Sequence, residues 1–180
     1  MTHPLTAEPH TVSRDVWQAL DGLTDPEIPV VTLREMGIIR DVEPVNDRSV
    51  VVVITPTYSG CPAMEQIHDD ICAAVKALGL DVTVRTQLAP AWTTDWMSDA
   101  AKDKLKAYGI APPNRQCGAP AQQQSVVHFM RKPLIPEQAV ECPRCGSHQT
   151  LESSHFGSTA CKALYKCMDC QEPFDYFKPY

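Results

Sequence analysis

No stretch of eighteen consecutive apolar residues occurs in this 180-residue chain, so no segment is expected to span a membrane. The opening residues, MTHPLTAEPHTV, lack a basic segment followed by an apolar one. That reads as no export leader and gives a cytoplasmic expectation. An excess of positive charge is missing too. The formal net charge is −6: residues 1–110 carry 9 basic and 16 acidic side chains, residues 111–139 carry 3 and 1, and residues 140–180 carry 4 and 5. No region has the basic footprint of a nucleic-acid binder. A glycine-rich phosphate loop, a paired-carboxylate helix motif and a nucleophile–base–orienter set are also absent, which argues against an independent enzyme.

What the chain does have is cysteine, eight in all. In a chain of this size without an export signal, two C-x-x-C pairs favour metal over disulfide. Cys142-Pro-Arg-Cys145-Gly and Cys167-Met-Asp-Cys170 each read as a knuckle, a tight turn that aims backbone N–H groups at two thiolates. Two knuckles supply four soft ligands in a tetrahedron, which suits zinc, with iron as the alternative occupant. The 21 residues between the knuckles, 146–166, have room for two short strands, as in a zinc ribbon. A module of about forty residues buries too little apolar surface to fold alone, so the metal would drive its folding. The complete four-cysteine set leaves His148 and His155 no role as ligands. Cys161 could be an additional ligand, a redox thiol or a buried hydrophobe, with a non-ligand role favoured. Arg144, Lys162 and Lys166 read as solvated charges that offset the thiolates.

Hydrophobic periodicity predicts the rest. Residues 1–12 read as a flexible tail. Ser13 can cap a helix over 14–22 with Val16, Trp17 and Leu20 on its apolar face and Gly22 at its end. Asp25-Pro26-Glu27-Ile28-Pro29 is a proline-stiffened loop. The segment 36–42 leads into a strand, 46–48 is a turn, and 49–55 is a second strand whose run Val50–Ile54 is apolar on both faces and therefore central. The two strands form a hairpin candidate. A helix of about five turns is expected from Cys61-Pro62 to Gly79, carrying Met64, Ile67, Ile71, Ala74, Val75 and Leu78, with Cys72 on its inner side as core. A third strand over 81–88, a short segment at 92–97 and a helix at 98–108 follow. The expected fold is α+β: a small two-layer α/β domain, a three-stranded sheet with packed helices, followed by a C-terminal zinc-ribbon module. Residues 111–139 hold five of the sixteen prolines and read as an arm or linker in which 125–130 could form a short strand. Nothing in the sequence assigns Cys117 a role.

Cys61 sits where a loop is expected to enter a helix. The free amides and dipole there would favour a thiolate, making Cys61 a nucleophile or a single metal or cluster ligand. The competing reading is a small residue at the helix cap. Thr55, Thr57 and Ser59 could hydrogen-bond the sulfur or an anion beside it. Asp25 and Glu27 could be a metal site or hydrogen-bond anchors, and alone such residues are more often cap and turn residues.

Together, Asp25-Pro26-Glu27-Ile28-Pro29, then Gly37, then Thr55-Pro56-Thr57-Tyr58-Ser59-Gly60-Cys61-Pro62 resemble the SufT-like iron–sulfur assembly family over residues 13–110. Ala91-Trp92-Thr93-Thr94-Asp95-Trp96, the stretch Phe156–Ala163 and the two knuckles extend the resemblance. With them the chain is similar, over nearly its whole length, to the D-subunit family of bacterial phenylacetyl-CoA epoxidase systems. With the composition reading, the resemblance gives four parts: a tail at 1–12, an assembly domain at 13–110, an arm at 111–139 and a four-cysteine zinc ribbon at 140–180. It implies a non-catalytic accessory factor in phenylacetate degradation that helps build or deliver an Fe–S cluster to the reductase component. In that reading Cys61 contacts iron or a transient cluster, and Asp25, Glu27, Thr55 and Thr57 shape its pocket. Cys161 gains weight as a redox or extra thiol. The implied partners are the Fe–S reductase and oxygenase subunits. Since a single Cys61 cannot ligate a cluster unaided, a homodimer pairing two Cys61 thiolates, or a partner supplying ligands, is also expected, while charge and hydropathy give no nucleic acid and no membrane. The alternative is a structural or regulatory subunit of the oxygenase that never touches iron.

Overall fold

The computed structural model describes residues 9–114 and 139–180, with side chains from residue 12 onward. Contacts divide the chain into two compact units, one comprising residues up to Tyr108 together with Tyr180, the other Gly109–Pro179. Among the described residues no helix is long and apolar enough to cross a membrane.

The first unit is built on a three-stranded sheet in the order β1-β2-β3, with β1 Ile39–Asn46, β2 Ser49–Ile54 and β3 Asp81–Thr86. β1 and β2 form the expected antiparallel hairpin around Asp47-Arg48. β3 runs parallel to β2, as the intervening helix α2 (Met64–Lys76) requires. The β-branched run of β2 does lie at the centre: Val50, Val52, Val53 and Ile54 are buried and Val51 is half-buried. Pro44 is tolerated because β1 is an edge strand. Helix α1 (Pro9–Leu20) packs on β1 and α2, and α2 packs on β3. This two-layer α+β arrangement matches the expected fold class.

Several boundaries differ from the sequence reading. The first helix begins at Pro9 rather than after Ser13, because Val12 extends the stripe of Val16 and Leu20 by one turn and all three are buried. Residues 9–12 are therefore helical, not tail. Helix α2 is shorter than expected. Cys61, Pro62 and Ala63 form a turn ahead of it, with the Cys61 amide donating to the Tyr58 carbonyl and the Met64 amide to that of Cys61. At the other end Leu78 lies beyond the cap residue Ala77 and is exposed. Cys72 is not core. The buried stripe of α2 is Ile67, Ile71 and Val75, and Cys72 lies half-exposed on its flank. The strand expected over 81–88 stops at Thr86, and the last helix is α3, Asp99–Tyr108.

Gly37 fixes how the segment 91–96 seats on the turn before β1. Its φ is +69°, and a Cβ there would lie 2.8 Å from both the Cβ and the carbonyl oxygen of Trp96. The Trp92 indole donates to the Met36 carbonyl at 2.9 Å, and the Arg40 guanidinium lies 3.5 Å above the Trp96 ring. Gly37→Ala must therefore accept a left-handed backbone and also displace Trp96. It is expected to cost about 2–4 kcal/mol in urea denaturation, the sum of a strained φ and an overpacked contact.

The second unit holds a four-stranded sheet in the order β4-β7-β6-β5. Its strands are β4 Ile110–Ala111, β5 Thr150–Ser154, β6 Lys162–Cys167 and β7 Pro173–Phe177. β5 and β6 are the two strands expected between the knuckles. β4 pairs in parallel with β7 and goes beyond the sequence reading, being only two residues that straddle the expected boundary between domain and arm. The strand suggested at 125–130, and Cys117, lie outside the described residues.

Candidate functional site: a four-cysteine centre and the Cys61 loop

The two knuckles fold alike. In the first, the Cys142 amide donates to the Ser147 carbonyl at 2.8 Å and Gly146, at φ +75°, turns the chain just after Cys145. In the second, the Cys167 amide donates to the Glu172 carbonyl at 3.0 Å and Gln171, at φ +64°, does the same after Cys170. A glycine announces the first turn in the sequence. Nothing announces the second, since glutamine rarely takes this conformation. The Cys170 amide points at the Cys167 sulfur at 3.5 Å, and the Ser147 hydroxyl bonds the Asp169 carboxylate, tying knuckle to knuckle.

The result is a cluster in which the four sulfurs of Cys142, Cys145, Cys167 and Cys170 all lie within 4.8 Å of one another. The Cys142–Cys170 and Cys145–Cys167 separations are 3.8 and 3.6 Å. A tetrahedral ion with metal–sulfur bonds of about 2.3 Å needs about 3.8 Å between sulfurs, so the donor set fits zinc. Cys142 and Cys167 belong to the small core of this unit, with Ala111, Val140, Ala163, Phe174 and Tyr176 around them. Cys145 is exposed and Cys170 half-buried.

Three of these thiols are shifted by the amides and sulfurs around them. The Ser147 amide lowers the Cys145 thiol, but burial and hydrogen bonds to Cys167, Cys170 and Cys142 outweigh it and push it up to about 12. The amides of Cys170 and Asp169 outweigh burial and hold Cys167 down at about 7. The Glu172 amide lowers Cys170, yet burial and the Cys167 contact leave it raised. An ion binding here must therefore displace protons from the raised thiols Cys145 and Cys170.

Cys161 stands apart from this group. It is 6% exposed, with the Thr159 hydroxyl 3.0 Å from its sulfur. Lys162 is not a solvated charge: it is buried and paired with Asp175 at 3.6 Å. Gly157 leaves room for that pair, since a Cβ there would meet the Asp175 carboxylate at 3.2 Å.

The Cys61 region is built differently. The loop 55–61 climbs from the core to the surface: Thr55, Pro56 and Thr57 are buried, Ser59 and Gly60 exposed, Cys61 half-exposed. Cys61 precedes α2 by three residues, and the N-cap residue Ala63 makes no side-chain capping hydrogen bond. The Thr55 hydroxyl, on a residue 1% exposed, is the buried side-chain polar atom left without a hydrogen-bond partner among the described residues. Asp25 acts as a turn anchor, its carboxylate accepting the Glu27 and Ile28 amides at 2.8 and 3.0 Å. Glu27 is half-buried. Cys61, Asp25 and Glu27 do not converge into a three-ligand group. The four-cysteine set is the one such group among the described residues.

Fold and site define a two-part metalloprotein, and comparison with known proteins gives each part a family. Residues 13–86 match the model of the iron–sulfur cluster assembly protein family, and residues 129–178 match the PaaD zinc beta ribbon domain. The chain belongs to the PaaD family, the D-subunits of 1,2-phenylacetyl-CoA epoxidase. It is 46% identical, over 91% of both chains, to the D-subunit protein of Escherichia coli (strain K12). An Fe-S protein maturation auxiliary factor from Porphyromonas gingivalis is 33% identical over 51% of this chain and 88% of its own length. A crystal structure of a DUF59 domain from Bacillus anthracis superposes with a TM-score of 0.50 at 25% identity, covering 54% of this chain and 93% of that one.

Two outcomes follow from the geometry. Apparent metal affinity, measured by chelator competition, should fall by at least about two powers of ten between pH 7 and pH 6, as the raised thiols Cys145 and Cys170 must each give up a proton to bind. Thr55→Val, which removes the orphan hydroxyl at constant shape, should leave urea stability unchanged or raise it by about 1 kcal/mol.

Proposed function

We propose that this protein is a non-catalytic maturation factor of a phenylacetyl-CoA epoxidase system, one that helps place an Fe–S cluster on the system's reductase component. The observation that carries the reading is the joining, in one chain, of an iron–sulfur assembly domain to a PaaD-type zinc ribbon. The relatives' names point the same way, one an epoxidase subunit and another an Fe-S maturation auxiliary factor.

In this reading residues 13–110 handle iron, an arm over 111–139 follows, and residues 140–180 form a ribbon held by one structural zinc on Cys142, Cys145, Cys167 and Cys170. Iron or a cluster is cargo, held transiently by Cys61 at the surface end of its loop. Thr55 and Thr57 line the base of that loop, and the Asp25 turn with Glu27 completes the pocket. The orphan Thr55 hydroxyl and the start of α2 are donors that a sulfide- or thiolate-bearing cargo would use. One thiolate cannot hold a cluster unaided, so a second Cys61 in a homodimer, or ligands from the client, complete it. Cys161 serves as an accessory thiol, and the protein works in the cytoplasm beside the reductase and oxygenase subunits. The name of the Escherichia coli relative, an epoxidase subunit, favours a second reading, a structural component of the oxygenase complex.

Co-expression of the reductase with either wild-type protein or Cys61→Ser separates the two. Cluster content of the purified reductase should drop at least fivefold with the variant, while circular dichroism of the variant itself is unchanged. Equal cluster content, with the variant still co-purifying with the oxygenase, would replace maturation by the structural role.

A further inference from the structure

Helix α2 carries a second set of metal-ligating side chains. His68 and Cys72 are one helical turn apart, each one position beyond a buried residue of the stripe Ile67, Ile71, Val75, so both lie along the same solvent-facing flank. The Cys72 sulfur is 3.9 Å from His68 Nδ1 and 4.0 Å from Nε2. The Asp69 carboxylate lies 3.2 Å from Nδ1. A proton on Nδ1 donated to Asp69 leaves the Nε2 lone pair free, the second-shell arrangement that orients a metal-bound histidine. Zinc with bonds of about 2.3 Å to sulfur and about 2.0–2.1 Å to nitrogen spans about 3.6 Å between the two donors. The sulfur is almost equidistant from the two ring nitrogens, off the Nε2 lone-pair direction, so both side chains must reorient on the helix surface to share an ion at that spacing. His68 has 51% of its side chain exposed, so an ion has a direct approach.

We propose that His68 Nε2 and Cys72 Sγ form an open two-ligand half-site for a borderline divalent cation of the zinc class, separate from the four-cysteine centre and from Cys61. Binding forms one metal–nitrogen and one metal–sulfur bond and releases the Cys72 thiol proton to solvent. Water fills the remaining positions, and Asp69 holds the imidazole. Asp70 stays committed to Gln66, whose amide donates to it at 2.7 Å. This site does not depend on the proposed maturation role.

The test is calorimetric titration with zinc of the full chain whose ribbon is already metal-loaded, for wild type, His68→Leu, Cys72→Ala and Cys61→Ser. Wild type and Cys61→Ser should each take up one further equivalent, and His68→Leu and Cys72→Ala should each weaken that event at least tenfold. Both altered side chains face solvent, so helical circular dichroism should not change. With cobalt as the probe, the thiolate-to-cobalt charge-transfer absorption of the added equivalent should vanish in Cys72→Ser. No further uptake by wild type, uptake that survives unaltered in His68→Leu or Cys72→Ala, or uptake lost in Cys61→Ser would each overturn the proposal.

Discussion

The constraint on which the second unit depends is the meeting of four sulfurs inside one small core. Cys142 and Cys167 are fully buried side chains that help make that core, so the ligands are also its packing. Without an ion, protons must fill the space between thiols less than 5 Å apart, and the pull of the knuckle amides is spread unevenly over them. An ion replaces that crowding with metal–sulfur bonds, and the strands β5, β6 and β7 hang from the two points it pins. The outer strand β5 is almost wholly exposed, so apolar burial there contributes little to its place in the sheet.

The first unit needs no such clamp. Its core is supplied by β2 and the stripes of α1 and α2, and its special features are local: the Asp25 turn, the left-handed Gly37 beneath Trp96, and a loop that rises from buried Thr55 to half-exposed Cys61. A buried base beneath a reachable thiol would suit the transient hold on cargo proposed for Cys61. The four-cysteine centre is the opposite case, with two of its ligands sealed in a core. Cys61 and the four-cysteine set thus differ in burial as well as in sequence position.

Much of this is legible from residues alone, and the exceptions have physical causes. The knuckles can be read because ligand spacing is a chemical requirement, and the central strand because only a β-branched run buried on both faces looks like Val50–Ile54. The start of α1 escapes a sequence reading because a stripe residue, Val12, lies upstream of a good capping serine. The start of α2 reads too early because Pro62 suits a first helical position as well as a turn. Cys72 reads as core because its neighbour Ile71 is core, although one step along a helix rotates a side chain by about 100°. The spacing His68–Cys72 is itself a readable signal. Lys162 reads as a surface charge because its partner Asp175 lies well downstream, on the neighbouring strand. β4 gives no signal, since two residues carry no period.

The division of labour between the two cysteine sets is the central claim. Its most direct test is anaerobic reconstitution of the full chain with iron and sulfide, followed by zinc, iron and acid-labile sulfide analysis, for wild type and Cys61→Ser in parallel. The account predicts one zinc per chain in both proteins, with iron and sulfide retained by wild type and lost by the variant. Equal iron and sulfide in both, or none in wild type, would contradict it.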